Sequence, residues 1–391
     1  MKRSWGLALG LGITAVFFMA CSAGEDGPPP PAYKDYGYMT NPGGLDRDGD
    51  PIPPGTISAF AIDPGSGGLT VLAGSPYSAF YQSFAIVAHP SGKFLYVTGI
   101  NRPSDLFEYT ISVFTINPAT GALTRAAGSS SGTGAPSGPH SAAVHPSGKF
   151  VYVADGGSHV SAFTIDTATG ALTVMAGSPF EVEYNTRSVA VDPSGKFAYV
   201  TMSLYPDSNG ISAFSIDPSS GALTEVAGSP FAALDDPMSI TIDPSGKFAY
   251  VANNYSDNVS AFTIDAATGV LAEVPGSPFA TQDDPTSIAM YPTGKFVYVV
   301  NAGSHSISVF AIDQATGALA EVAGSPFVAG DNLSSIVLDP SGMFAYLPHY
   351  YHSISAFKIN PATGALTEAA GSPFVVGFLG GHHLAVIRIA Q

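Results

Sequence analysis

VSAFTIDAATGVLAEVPGSPF, residues 259–279, is the clearest of seven copies of one phrase. The copies begin at Ile57, Ile111, Val160, Ile211, Val259, Ile307 and Ile354, so successive starts lie 54, 49, 51, 48, 48 and 47 residues apart. Between them runs a second phrase, such as SVAVDPSGKFAYV at 188–200. A period of this length marks a stacked-repeat architecture, which overrides the two or three domains that 391 residues would otherwise suggest. The 44 Gly and 32 Pro fit a chain that turns every several residues. Beyond the N-terminus no window carries the 3.6-residue apolar period of a helix.

Each unit reads as four strands, here called a to d: 239–242, 247–251, 259–264 and 271–274 in the clearest copy. Strand c is apolar on both parities, with Val259 and Ala261 on one face and Phe262 and Ile264 on the other. That is expected of a sheet covered on both sides. Asp243-Pro244-Ser245-Gly246 joins a to b and Asp265-Ala266-Ala267-Thr268-Gly269 joins c to d, both with turn chemistry. At Gly276-Ser277-Pro278-Phe279 the proline is expected to end pairing and the phenylalanine to wedge between units. YGYMTN at 36–41 resembles FAYVAN at 248–253, so the chain enters in mid-unit, and HHLAVIRI at 382–389 supplies only a unit's opening strand. The expected fold is all-β, a seven-bladed β-propeller of four-stranded blades whose ring is closed by pairing the N- and C-terminal segments.

The phrases KFVYVAD (149–155), KFAYVAN (247–253) and VSAFTID-x-ATGALT (160–173) resemble the lactonase-type seven-bladed propellers. These are also described by a YVTN-like repeat and are related to 6-phosphogluconolactonase. The resemblance covers residues 33–391 and rests on strands and turns, which fix a fold and not an activity.

Residues 1–20 read as a signal peptide, with Lys2 and Arg3 before an apolar run at 6–18. Cys21, the only cysteine, excludes an intramolecular disulfide and resembles a bacterial lipoprotein acceptor, although Phe18 stands where leucine is usual. The alternative is simple secretion with an incidental cysteine. Residues 21–35, with four prolines from Pro28, read as a semi-rigid tether to a propeller at 36–391. Without Lys2 and Arg3 the chain has 12 basic and 30 acidic residues, a net charge of −18. That balance argues against nucleic acid and against charge-driven docking on anionic lipid, leaving the lipid anchor as the membrane contact.

In a propeller the a–b and c–d turns share one face and the b–c and d–a loops the other. The turn face carries Lys93, Lys149, Lys196, Lys247 and Lys295 beside Asp63, Asp166, Asp217, Asp265 and Asp313, and reads as a solvated face with weak pairs. The loop face collects His140, His159, His305, His349, His352, His382 and His383, together with Arg102, Arg187, Glu181 and Glu183. His140, Arg187 and His383 each precede or open an inner strand, where side chains can converge on the axis. The resemblance implies that His140 or His383 is a base activating water and that Arg187 holds an oxyanion. Arg102, His159, Glu181, Glu183, His305, His349 and His352 are the candidate ligand-binding residues. For His349 and His352, whose neighbours are tyrosines, loop packing is the competing assignment. No cofactor is required. Asp46, Asp48 and Asp50 resemble the start of a calcium loop, but Ile57 stands where its closing glutamate belongs.

Two functions follow as expectations. One is an exported, lipid-anchored propeller whose histidine-rich loop face binds a small polar ligand or an envelope protein. The other is a hydrolase acting on an unphosphorylated lactone at the axial funnel, since the loop face lacks the basic cluster that phosphate demands.

Overall fold

The computed structural model describes residues 33–41, 43–45, 51–52, 54–101, 108–126, 131–133, 138–204, 208–379 and 383–391. The expected signal peptide, Cys21 and most of the expected tether lie outside these residues. Every regular element among them is a strand.

The strands form seven antiparallel sheets, each a path of four, beside a small two-stranded sheet of Gly44–Leu45 and Pro51–Ile52. Counting from the N-terminus, the fifth blade runs outward as Pro237–Ile242, Phe248–Asn253, Asn258–Ile264 and Leu271–Glu273. The seven inner strands touch one another in a closed circuit, which makes the ring. Closure falls in the first blade. Leu384–Ala390 is its inner strand and pairs with Tyr33–Asn41, which pairs in turn with Thr56–Ile62. The two termini complete one blade, as the repeat phrases require.

The blade begins at Tyr33, so Tyr33, Lys34 and Asp35 belong to it and not to the tether. The reason is an ion pair that the local sequence hides. Buried Asp35 accepts from Arg388 Nε at 2.7 Å and Nη2 at 2.6 Å, across 353 positions of chain. Arg388 also lies 3.8 Å from Asp339 of the seventh blade, so one guanidinium joins both termini to the neighbouring sheet.

Blade-to-blade packing explains the repeated phrase. In the fifth blade Val259, Ser260, Ala261 and Phe262 are all buried, so strand c is covered on both faces. Tyr38, Tyr96, Tyr152, Tyr199, Tyr250, Tyr298 and Tyr346, at the centre of each strand b, are fully buried. Each phenol donates to the c–d turn glycine carbonyl of the next blade, as in Tyr250 to Gly317 at 2.9 Å. The seventh bond, Tyr346 to Gly67 at 3.1 Å, returns to the first blade. The turn glycine is doubly required. Gly269 has φ +76°, and a Cβ there would lie 2.5 Å from the Phe197 ring.

The Gly-Ser-Pro-Phe segment departs from expectation. Pairing does not end at the proline: Phe279–Ala280 folds back onto Asn258 and Val259 as a short fifth strand. Ser277 makes this possible, because its Oγ accepts the Ala261 amide at 3.1 Å where the outer strand has ended. Strand c thus has its outer edge covered in two pieces.

Candidate functional site

On the turn face the aspartates and histidines are taken up by the scaffold. Asp265 Oδ1 accepts from the Ala267 and Thr268 amides at 3.0 and 2.8 Å. Asp243 Oδ1 accepts from those of Lys247 and Phe248, both at 2.7 Å. The turn aspartates therefore shape turns, and among the described residues no ion pair joins them to the turn lysines. His89 and His145 replace an aspartate and reach across to Gly148 O at 2.9 Å and Gly195 O at 2.8 Å.

The loop face is open at its centre. A cavity of about 450 Å³ on the axis is lined by His140, Arg187 and His383 together, with serines of the inner strands and Tyr350. His140 stands just before Ser141–Val144, held by its amide donating to Ala154 O at 2.8 Å. Arg187 lies inside Asn185–Val191, at a register break between Thr186 and Ser188. The same break recurs at Met238 and Thr286, which also line the funnel. A bulge frees one residue from the ladder and re-aims its side chain, here toward the axis. His383 enters through its backbone, exchanging bonds with Thr40: Thr40 N to His383 O at 3.0 Å and His383 N to Thr40 Oγ1 at 3.3 Å.

The inner-strand serines knit the funnel wall. Ser141, Ser239 and Ser287 each accept the amide of the next blade's inner strand, all at 3.3 Å. Arg187 Nη2 lies 3.6 Å from buried Asp236, which anchors the guanidinium. Its Nε is buried with no hydrogen-bond partner among the described residues, as is Thr286 Oγ1. Solvent reaches the His140 ring through the mouth, yet the walls crowd it. Burial pushes its pKa below the ordinary histidine value, and the nearby Arg187 charge pushes the same way. The funnel thus sets an imidazole whose charging is disfavoured beside a partly exposed guanidinium.

One loop seats both residues. Gly156 packs so close under the His140 ring that a Cβ would meet its Cδ2 at 2.4 Å. Its amide donates to Thr186 Oγ1 at 3.0 Å, and the Thr186 amide donates to Gly157 O at 2.9 Å. No periodic signal marks Gly156; the singular pair Gly156-Gly157 in the third blade's b–c loop is the cue that sequence reasoning missed.

The other candidate residues are not brought to the funnel. His159 pairs with Glu181 across the outer strands, and Glu183 accepts from Tyr184 Oη at 2.7 Å. His305 lies 3.8 Å from Asp331. His349 is buried, with Nδ1 2.6 Å from Asp331 O and Nε2 2.8 Å from Ser355 Oγ. It fills the slot of Asn253, whose Nδ2 donates to Ser260 Oγ at 2.9 Å, so packing is its role. Arg102, His382, Asp46, Asp48, Asp50 and the His352 side chain lie outside the described residues. Among those described, no group of three or more His, Cys, Asp or Glu is placed to hold a metal ion.

The family model described as Lactonase, 7-bladed beta-propeller matches residues 54–186, 176–282 and 273–377. The chain belongs to this lactonase family. Its fold is close to that of a candidate 6-phosphogluconolactonase from Bacteroides uniformis, with TM-score 0.75, 20% identity and coverage of 90% of this chain and 99% of that one. A second candidate from Bacteroides fragilis has TM-score 0.74 and 19% identity over 90% and 98% of the two chains. The periplasmic gluconolactonase of Pseudomonas aeruginosa has TM-score 0.71 and 17% identity over 90% and 99%. These likenesses carry the fold. No curated protein matches the chain.

Proposed function

We propose that the axial funnel hydrolyses an unphosphorylated lactone. The observation that supports this is one cavity lined by both His140, whose charged form burial and Arg187 disfavour, and the partly exposed guanidinium of Arg187. His140 takes a proton from water as the water oxygen attacks the ring carbonyl carbon. Arg187 donates to the carbonyl oxygen as it gains negative charge. The tetrahedral intermediate then expels the ring oxygen, which takes the proton from His140 and leaves an open hydroxy acid. His383, on the first blade's side of the cavity, orients the departing oxygen. Among the described lining residues Arg187 is the only Arg or Lys, too little for a phosphorylated sugar.

The test is pH-stat titration of the chain from Ser22 against γ- and δ-lactones, with His140→Ala and Arg187→Ala alongside. Turnover lost in both folded variants supports the reading, and no turnover by the folded wild type on any lactone overturns it. We place this activity outside the cytoplasm on a lipid anchor at Cys21, on the strength of residues 1–21. Cys21→Ser should release the protein from membranes; a variant that stays bound contradicts the anchor.

A further inference from the structure

The loop that seats His140 and Arg187 contains a group the hydrolytic steps leave unused. Asp155 directly precedes Gly156 and is completely buried. Its slot is held by asparagine in three other blades, where the amide donates to a strand c serine: Asn41 to Ser58 at 2.9 Å, Asn253 to Ser260 at 2.9 Å and Asn301 to Ser308 at 3.0 Å. In the third blade the serine is Ser161. Its Oγ lies 2.5 Å from Asp155 Oδ2 and 2.8 Å from Thr133 O.

A serine hydroxyl has one proton, and a carbonyl can only accept. If Ser161 donates to Thr133 O, its short contact with Asp155 needs a second proton, and the carboxyl is the group that can supply it. A protonated Asp155 then does what asparagine does in the other blades. Burial favours the same state, raising this carboxyl to about 7 against the partial opposition of its Ser161 bonds. The titratable and charged groups on the elements around it are His159, which opens strand c of its own blade, His140, just before the inner strand, and Arg187 of the fourth blade. None of them is hydrogen-bonded to it, and its Oδ1 has no partner among the described residues.

We propose that Asp155 is a positioning residue whose protonated form holds the 155–157 loop under His140 and Thr186, so that loss of its proton slackens the site and lowers turnover. An ionised Asp155 places an uncompensated charge in a dry interior, and the least costly relief is for the loop to open toward water. Because the folded-state pKa lies above the unfolded value, the folded protein retains a proton that the unfolded chain releases. Stability therefore falls as pH rises from about 4 to about 7 and is flat above. The effect on turnover rests on the hydrolase reading; the effect on the loop does not.

Asp155→Asn reproduces the asparagine slot and removes the titration. Wild-type kcat/KM should fall at least about 3-fold between pH 7 and 8.5, while Asp155→Asn should stay within about 1.5-fold across that range. An equal alkaline fall in both proteins overturns the proposal. Independently of any substrate, carboxyl 13C NMR of the wild type should show Asp155 titrating near 7, with the His140 ring signals shifting at the same midpoint. Titration of Asp155 near 4, or His140 signals unmoved at the Asp155 midpoint, overturns it even if no lactone is turned over. Should Asp155→Asn fail to fold, the wild-type titration still decides.

Discussion

At the turn end of the ring the described aspartates and histidines are bound by the scaffold. At the loop end His140 and Arg187 are held by their backbones and neighbours, and both line an open cavity. The contrast is sharpest between two histidines. His349 is buried with both ring nitrogens bound to protein, whereas His140 opens on a 450 Å³ cavity. Residue type and face were the same. What separates them is register, since His349 repeats the asparagine slot of other blades and His140 precedes an inner strand facing the axis. A functional side chain in a repeat protein is one whose slot the scaffold does not need.

That contrast can be broken from the site side or the scaffold side. The largest effect should come from the site: His140→Ala or Arg187→Ala should each lower kcat/KM by about 10²-fold or more, with urea midpoints close to wild type. Unfolding of either variant would mean the residue belongs to the scaffold after all. Next is the closure clamp. Asp35→Ala leaves Arg388 facing Asp339 alone and should cost about 3 kcal/mol in urea denaturation, allowing for the partial exposure of Arg388. A smaller loss, about 1 kcal/mol, is expected from Tyr250→Phe, which strips the Gly317 carbonyl of its inter-blade donor. Smallest of all should be His349→Asn, which restores the residue used in the other blades and should shift stability by less than about 1 kcal/mol with turnover unchanged.

The architecture was legible because it is written seven times, in strand phrases whose two-sided apolar pattern leaves little choice but a closed ring. Asp35 was misplaced because its partner, Arg388, lies at the other end of the chain, where no local pattern connects them. Charge counting predicts weak Lys–Asp pairs on the turn face, but the aspartates are bound to backbone amides, which it does not see. His140, Arg187 and His383 were legible as candidates by their place before inner strands. Their surroundings were not: the bulge at Thr186/Ser188, the close seat of the His140 ring on Gly156 and the short Ser161–Asp155 contact are all properties of register and packing. His349 marks a signal that was present and unused, since aligning FAYLPH with FAYVAN places it opposite Asn253.

If His140 is the base and Arg187 the oxyanion donor, burial first and the Arg187 charge second should hold the His140 pKa below the ordinary histidine value. The most direct measurement is the pH dependence of kcat/KM for wild type and Arg187→Gln on one unphosphorylated lactone. The account predicts an acid limb in wild type with a midpoint below 6.5, because burial and Arg187 both lower the His140 pKa. In Arg187→Gln the residual activity should show that midpoint displaced upward, since one of the two causes is gone. A midpoint that stays where it was, or that lies above 6.5 in wild type, would contradict the claim.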